Sequence, residues 1–226
     1  MLHLKHDVQI HLKNEKQVFR LIRLLLFTFV LSATMFGLPD YIWNMTLYRI
    51  SVYTVPWVVA IPAIVNCVER KVNFKELMGK HILFQVLVGI LIGAVMAFAW
   101  TMCYRWIYKT SSGYYTGTLT TSIVLLLQYI FIVGSSEELI YRVGIMGELQ
   151  EIFMKSKWVA PLIANILFAT SHLFQHGWDN VLLAFFAGVV YTLCFYKWKK
   201  CGFVMVSVMH GMFDFMTSVI PAWNIF

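Results

Sequence analysis

The chain has 226 residues, of which 60% are hydrophobic and only 13% are charged. A soluble domain of this length could not cover its surface with so few charges, so the composition predicts an integral membrane protein. The formal net charge of +7 comes without a basic stripe interleaved with surface aromatics, and we therefore expect no nucleic-acid partner.

The N-terminal residues 1–17 are polar and predict a basic cytoplasmic tail. The apolar run that follows has no small-residue cleavage site, so we expect no cleavable signal. Membrane helices follow over residues 18–117. The C-terminal part, residues 118–226, contains further membrane helices and carries the candidate site.

Apolar segments recur along the chain and predict seven membrane crossings. The predicted spans are 18–38, 50–68, 82–104, a fourth that starts near 121, 158–174, 181–196 and 203–220. Each approaches the ~20 residues that cross a bilayer. A break at residues 134–136 would add an eighth helical segment. The expected fold is an all-α, polytopic transmembrane bundle of seven to eight helices, with its catalytic core in the C-terminal half.

The basic residues are distributed unevenly between the ends of these spans. Most of the 18 Lys and Arg residues fall on one side if successive spans alternate in direction. Because cytoplasmic loops carry an excess of Lys and Arg, this bias predicts a multi-pass protein of the cell membrane with a cytoplasmic N-terminus. The bilayer is thus the first expected partner.

Six ionisable side chains fall well inside apolar segments of the C-terminal half. They are Glu137, Glu138, Arg142, His172, His210 and Asp214. An ionised group in hydrocarbon costs several kcal/mol unless it is paired or lines a wet cavity, so these residues form the candidate site. The remaining acids, Glu148 and Glu151 among them, are assigned to tails or connections.

Helical spacing divides this set into pairs. Glu138 and Arg142 are four residues apart and can form an ion pair, whereas Glu137 points about 100° away and is left free. His210 and Asp214 are also four apart, so the carboxylate can orient the imidazole. Each group has a structural alternative: a buried ion pair, a lone packing His172, or a self-contained His–Asp hydrogen bond.

A free carboxylate and two imidazoles are the groups needed to activate water. A carboxylate can act as a general base, and two His with a carboxylate can hold a catalytic zinc. The residues must share one depth for either chemistry. This requires the helix with Glu137 to continue past Arg142 to about Phe153, because otherwise Glu137 would lie at the cytoplasmic surface.

Three motifs together resemble a known family. Glu137-Glu138-x-x-x-Arg142, Phe168-x-x-x-His172 and His210-x-x-x-Asp214, in this order, resemble the CPBP intramembrane peptidases. These proteins, also called the Abi family, are relatives of the type II CAAX prenyl endopeptidase. The resemblance covers residues 123–219 and implies a helical membrane-embedded endopeptidase.

The resemblance also implies roles for the motif residues. Glu137 would activate water with help from Glu138 and Arg142, while His172 and His210 would line the site. A divalent metal, with zinc the expected ion, would be held by His172, His210 and Glu137, although a metal-free glutamate mechanism has also been argued for the family. This chain departs from the family at Asp214, where Asn is frequent, and at Val143, where Gly is common.

The expected function is hydrolysis of a peptide bond near the cytoplasmic side of the membrane. Its substrate would be a peptide or a membrane-anchored protein, and bacterial relatives suggest peptide processing or bacteriocin immunity. A non-catalytic peptide-binding or immunity protein is the alternative. A proton-coupled transporter is favoured less, because the sequence shows no inverted repeats. The sequence makes no prediction of oligomeric state.

Overall fold

A computed structural model describes residues 15–30, 45–108, 117–153, 157–173 and 178–219. Every regular element within these ranges is helical, which confirms the predicted all-α membrane bundle. The helices are α1 (15–30), α2 (Met45–Glu69), α3 (Phe74–Met78), α4 (Ile82–Tyr108), α5 (Leu119–Ile152), α6 (Val159–Ser171), α7 (Trp178–Lys197) and α8 (Phe203–Val219).

The helices follow the predicted spans closely, with α3 as an unpredicted addition between α2 and α4. Most of the predicted N-terminal tail and the end of the first span, residues 31–38, lie outside the described residues. Within the described part of the chain, three helical stretches are long and apolar enough to cross a membrane: Ile82–Tyr104, Leu119–Ile152 and Asn180–Lys197. Shorter apolar stretches are Thr54–Glu69, Val159–Ser171 and Phe203–Val219. The number of crossings and the side of the N-terminus remain predictions.

Helix α5 is continuous where the sequence suggested a break. Two π-helical segments, Tyr129–Gly134 and Leu139–Ile145, flank one α-helical turn at Ser135–Glu138. The Ser135 hydroxyl donates to the carbonyl of Ile130 at 2.7 Å. These two π segments disturb the regular backbone ladder, and side chains supply partners for carbonyls there.

Close backbone contact joins α8 to its neighbours. A Cβ atom on Gly211 would overlap the backbone of Ile130 in α5, and one on Gly134 would come 2.7 Å from the Ser207 carbonyl oxygen. On α4, a Cβ at Gly89 would come 2.9 Å from the Met205 carbonyl oxygen. Small residues allow this approach between membrane helices. They bring α8, with His210 beside Gly211, against the site-bearing part of α5.

A buried charge cluster attaches α1 and α2 to the end of α5. Arg20 contacts both oxygens of the fully buried Glu148, at 2.8 and 3.1 Å, and Arg70 Nε donates to Glu151 at 2.8 Å. Arg70 Nη1 also donates to the Val143 carbonyl in the second π segment at 2.9 Å. The assignment of Glu148 and Glu151 to connections was therefore wrong. They lie within α5, and α1 and α2 supply their counter-charges.

Candidate active site

The middle of α5 supplies three of the six predicted residues. The helix runs on past Arg142 to Ile152, so the condition for a shared depth is met. Arg142 Nε lies 3.1 Å from Glu138 Oε2, and both side chains are buried. This approach is an ion pair without hydrogen-bond alignment, since neither atom has a hydrogen-bond partner among the described residues. The Glu138–Arg142 contact expected from the spacing is present.

Glu138 also reaches across to α8. Its Oε1 lies 2.8 Å from His210 Nδ1. An ionised carboxylate only accepts hydrogen bonds, so Nδ1 is the donor. The orientation of His210 is thus set by Glu138. Asp214, to which the spacing argument gave this role, lies at the other ring nitrogen, with Oδ2 3.5 Å from Nε2, and its role stays a prediction.

His172 lies at the end of α6 and is oriented by its own helix. Its Nδ1 donates to the Phe168 carbonyl at 2.9 Å, because a carbonyl oxygen can only accept. The Nε2 atoms of His172 and His210 then face the same atom, Oε2 of Glu137, each at 3.8 Å. That oxygen is buried and has no hydrogen-bond partner among the residues that the structure describes.

The six predicted side chains therefore form one connected group between α5, α6 and α8, which Arg142 joins through Glu138. Exposure divides them into two groups. Glu137, His172 and Asp214 are partly exposed, at 20%, 17% and 25% of the side chain. Glu138, Arg142 and His210 are buried. Their catalytic and metal-binding roles remain predictions.

Two aromatic residues enclose the imidazoles. The Phe168 ring lies edge-on to His172 and His210, with centroids 4.8 and 5.7 Å apart. Tyr191, from α7, stacks on His210 with centroids 4.9 Å apart and planes 25° from parallel. Sequence reasoning included Phe168 in a motif but missed Tyr191. No polar or charge pattern distinguishes this tyrosine from Tyr196, the other tyrosine of α7.

The guanidinium of Arg142 occupies a recess between α6 and α7. It lies 4.3 Å from the centroid of the Phe168 ring, and Nη2 donates to the Gly188 carbonyl at 3.2 Å. A Cβ on Gly188 would come 3.0 Å from Nη2 and would overlap Asn165 Oδ1. Sequence reasoning missed both Gly188 and Asn165. The signal for Asn165 was an amide inside an apolar helix, which marks a polar contact in a membrane bundle.

The donor atoms at Glu137 suit a divalent cation in their chemistry. Two imidazole nitrogens with free lone pairs face one carboxylate oxygen, and each imidazole has its other nitrogen held, as in many metal sites. As placed, however, no three His, Cys, Asp or Glu side chains within the described residues form a ready ligand group.

Comparison with known proteins agrees with the resemblance seen in the motifs. Residues 118–216 match the family described as "Type II CAAX prenyl endopeptidase Rce1-like". No curated protein and no solved structure shows significant similarity to this chain. The matched region contains α5 to α7 and most of α8, and with them all six site residues. Residues 118–216 of this chain are therefore a domain of the type II CAAX prenyl endopeptidase Rce1-like family, a family of intramembrane proteases consistent with CPBP membership.

Proposed function

We propose that this protein hydrolyses a peptide bond in a membrane-associated peptide or a membrane-anchored protein, with Glu137 as the general base. The observation that carries the proposal is the approach of two Nε2 atoms to Glu137 Oε2, an oxygen without a hydrogen-bond partner among the described side chains. Glu137 Oε2 and the two Nε2 atoms all accept hydrogen bonds, so a hydrogen-bond donor is needed between them. A water molecule supplies two such protons and is the nucleophile of the reaction.

In this mechanism Glu137 accepts one proton of the water as its oxygen attacks the scissile carbonyl carbon. The C–O bond forms and a tetrahedral intermediate results. When the intermediate collapses, the C–N bond breaks and Glu137 returns the proton to the leaving amine. The products are a carboxylic acid and an amine. General acid–base catalysis of this kind contributes ~10²–10⁴-fold to the rate.

The remaining side chains orient these groups. His172 and His210, each held through Nδ1, present Nε2 as acceptors that position the water. Glu138 stabilises positive charge on His210 if the imidazole takes up a proton, and Arg142 balances the charge of Glu138. Asp214 lies 3.5 Å from His210 Nε2 at the more exposed side of the site. As an ionised carboxylate it cannot donate to an oxyanion or to an unprotonated Nε2, so we assign it to holding His210 when the imidazole is protonated at both nitrogens.

The same three side chains could also act in a metal-assisted form of the mechanism. His172 Nε2, His210 Nε2 and Glu137 Oε2 would hold a divalent ion, with zinc the expected one. When bound, the ion would supply Lewis-acid polarisation and lower the pKa of a bound water. The roles derived above for Glu138, Arg142 and Asp214 as orienting and charge-balancing groups are the same in both forms.

The test is cleavage of candidate membrane peptides by purified protein. Glu137→Gln should lower kcat by ~10²–10⁴-fold while the protein remains monodisperse and substrate binding persists. Glu76→Gln, in the short α3, is the matched control and should leave cleavage unchanged. Full cleavage by Glu137→Gln would refute the mechanism. An unchanged biological phenotype in that variant would favour the non-catalytic peptide-binding or immunity alternative.

A further inference from the structure

The backbone of the second π segment is bound by a side chain from another helix. Val143 follows Arg142 directly in this segment, Leu139–Ile145, and is buried. Arg70, which follows the last residue of α2, donates from Nη1 to the Val143 carbonyl at 2.9 Å. π-helical turns are rare inside α-helices and are frequent at functional sites. The contact therefore joins the end of α2 to the part of α5 that carries Arg142.

The guanidinium of Arg70 lies along α5 across the end of the π segment. Its Nε donates to Glu151 Oε1 at 2.8 Å, about two turns beyond Val143. Gly147 lies between the two contacts, and a Cβ atom there would overlap Nη1 and come 2.6 Å from Nη2. The missing side chain at Gly147 gives the guanidinium its room. Arg70 thus links the carbonyl of Val143 to the carboxylate of Glu151.

The backbone that carries Arg70 is closed by a Schellman-type helix end. Val72 N donates to the Cys67 carbonyl at 2.9 Å, and Lys71 N donates to the Val68 carbonyl at 3.0 Å. Lys71 has a φ of 55°, the left-handed conformation that this motif requires. A residue other than glycine adopts it at a cost of ~1–2 kcal/mol. The side chain of Arg70 therefore extends from a fixed backbone.

The Val143 contact is connected to the site by a short series of neighbours. Arg142 Nε lies 3.1 Å from Glu138 Oε2, and Glu138 Oε1 accepts from His210 Nδ1 at 2.8 Å. A shift of the backbone at Val143 would move Arg142, and with it the carboxylate that orients His210. The end of α2 can therefore influence the geometry of an imidazole on α8.

The alternative is that Arg70 only balances charge at the end of α5. Arg20 and Arg70 face Glu148 and Glu151 there, so cations and anions are equal in number. Charge balance alone does not require a donor on the Val143 carbonyl. Arg20 has the first role without the second, because its side-chain hydrogen bonds to described residues go to the two carboxylates. Arg20 is therefore the natural comparison.

We propose that Arg70 is a positioning residue of the active site, which acts on His210 through the backbone of α5. Arg70 lies outside residues 118–216, the region that matches the peptidase family. The functional unit of this chain thus includes the end of α2. The expected effect on catalysis rests on the proposed function, and the expected effect on His210 does not.

Two variants that conserve charge test the proposal in the purified protein. Arg70→Lys offers one nitrogen in place of the two that bind the Val143 carbonyl and Glu151, and the methyl group of Gly147→Ala displaces Nη1. We expect kcat to fall about 10–100-fold in each, the usual cost of losing an outer-shell orienting contact, while KM changes little. Arg20→Lys is the matched control, which should lower the unfolding temperature and leave kcat unchanged.

Nitrogen-15 NMR of labelled histidine gives a second reading that needs no substrate. The ring signals of His210, identified by their loss in His210→Gln, report the hydrogen bond from Nδ1 to Glu138. They should shift in Arg70→Lys and in Gly147→Ala. They should match the wild type in Arg20→Lys.

An unchanged kcat in Arg70→Lys and Gly147→Ala would overturn the inference, and so would an equal fall in Arg20→Lys. A lower kcat with unchanged His210 signals would also overturn it, because the proposed route passes through His210. If Arg70→Lys does not fold, Gly147→Ala decides, since it keeps Arg70. If Glu137→Gln cleaves as fast as the wild type, the proposed mechanism fails and the His210 signals alone decide whether Arg70 positions the site.

Discussion

Glu138 accepts a hydrogen bond from His210 Nδ1 at 2.8 Å, although the two residues lie 72 positions apart in the sequence. The same carboxylate lies 3.1 Å from Arg142, so Glu138 connects the cation of α5 to the imidazole of α8. Glu137, its neighbour, contacts neither partner as closely. Two adjacent carboxylates therefore differ in what their loss should do to the protein.

Glutamine substitutions should separate stability from chemistry at these two positions. Glu138→Gln leaves the buried Arg142 guanidinium without a counter-charge, and we expect a loss of ~3–5 kcal/mol in the free energy of unfolding. Glu137→Gln should change stability little, because Oε2 of Glu137 makes no hydrogen bond with any described residue. Thermal unfolding of both variants in one detergent measures the difference. Equal destabilisation would show that Glu137 is a structural residue.

Metal removal should distinguish the two forms of the mechanism. In the glutamate form Glu137 alone activates the water, so cleavage should persist after dialysis against a chelator. Metal analysis of the purified protein and of His172→Ala accompanies the assay. Loss of activity that zinc restores, with stoichiometric metal in the wild type and none in His172→Ala, would establish the metal-assisted form.

Gly188→Ala should impair catalysis from a position that touches no substrate. The added methyl group would come 3.0 Å from Arg142 Nη2 and would overlap Asn165 Oδ1, so Asn165 must move and the guanidinium must shift by a few tenths of an ångström. Displacement of Arg142 would disturb Glu138 and through it His210. We expect kcat to fall about 10–100-fold, the usual cost of losing an outer-shell orienting contact, while KM changes little.

Gly144→Ala is the matched control for that variant. Its methyl group would meet Leu24 at 3.0 Å and Ala63 at 3.2 Å, a milder crowding without contact to Arg142. We expect some loss of stability and an unchanged kcat. Equal kcat losses in the two variants would indicate general crowding in place of an effect through Arg142.

Two arginines of α1 offer a comparison between a buried and an exposed ion pair. Arg20 pairs with the fully buried Glu148, whereas Arg23 pairs with Glu69, whose side chain is 40% exposed. Arg20→Ala leaves the buried carboxylate of Glu148 with only the longer contact to Arg70 Nε, at 3.9 Å, and should cost ~3–5 kcal/mol in the free energy of unfolding. Arg23→Ala removes an exposed pair, worth ~0–1 kcal/mol, and one hydrogen bond to Asn66, worth a net ~0.5–1.5 kcal/mol. Thermal unfolding of the two variants in the same detergent checks the order, and a larger loss for Arg23→Ala would contradict it.

Much of the fold could be predicted because the relevant signals are local. Apolar runs define the helices, and four-residue spacing on one helix predicted the approach of Arg142 to Glu138. The contact between Glu138 and His210 could not be derived this way. It depends on how closely α8 approaches α5, and that distance is set by Gly134 and Gly211, whose packing role is invisible without their neighbours.

The charge cluster at the end of α5 shows a second limit of sequence reasoning. Glu148 looked like a connection residue because it lies near the end of an apolar run. Its burial depends on Arg20, 128 positions earlier, and on Arg70. A counter-charge supplied by a distant helix leaves no trace in local composition. Asn165 and Gly188 were missed for the same reason, since their importance lies in a contact between α5, α6 and α7.

The two π-helical segments of α5 have a consequence for the register of the whole site. A π-helical turn accommodates one residue more than an α-helical turn. Each residue inserted into or removed from an α-helix rotates the following side chains by about 100°. Deleting one apolar residue from Tyr129–Gly134 would leave α5 as hydrophobic as before. It would nevertheless turn Glu137 away from the two imidazoles, because helical phase aligns the acid with them.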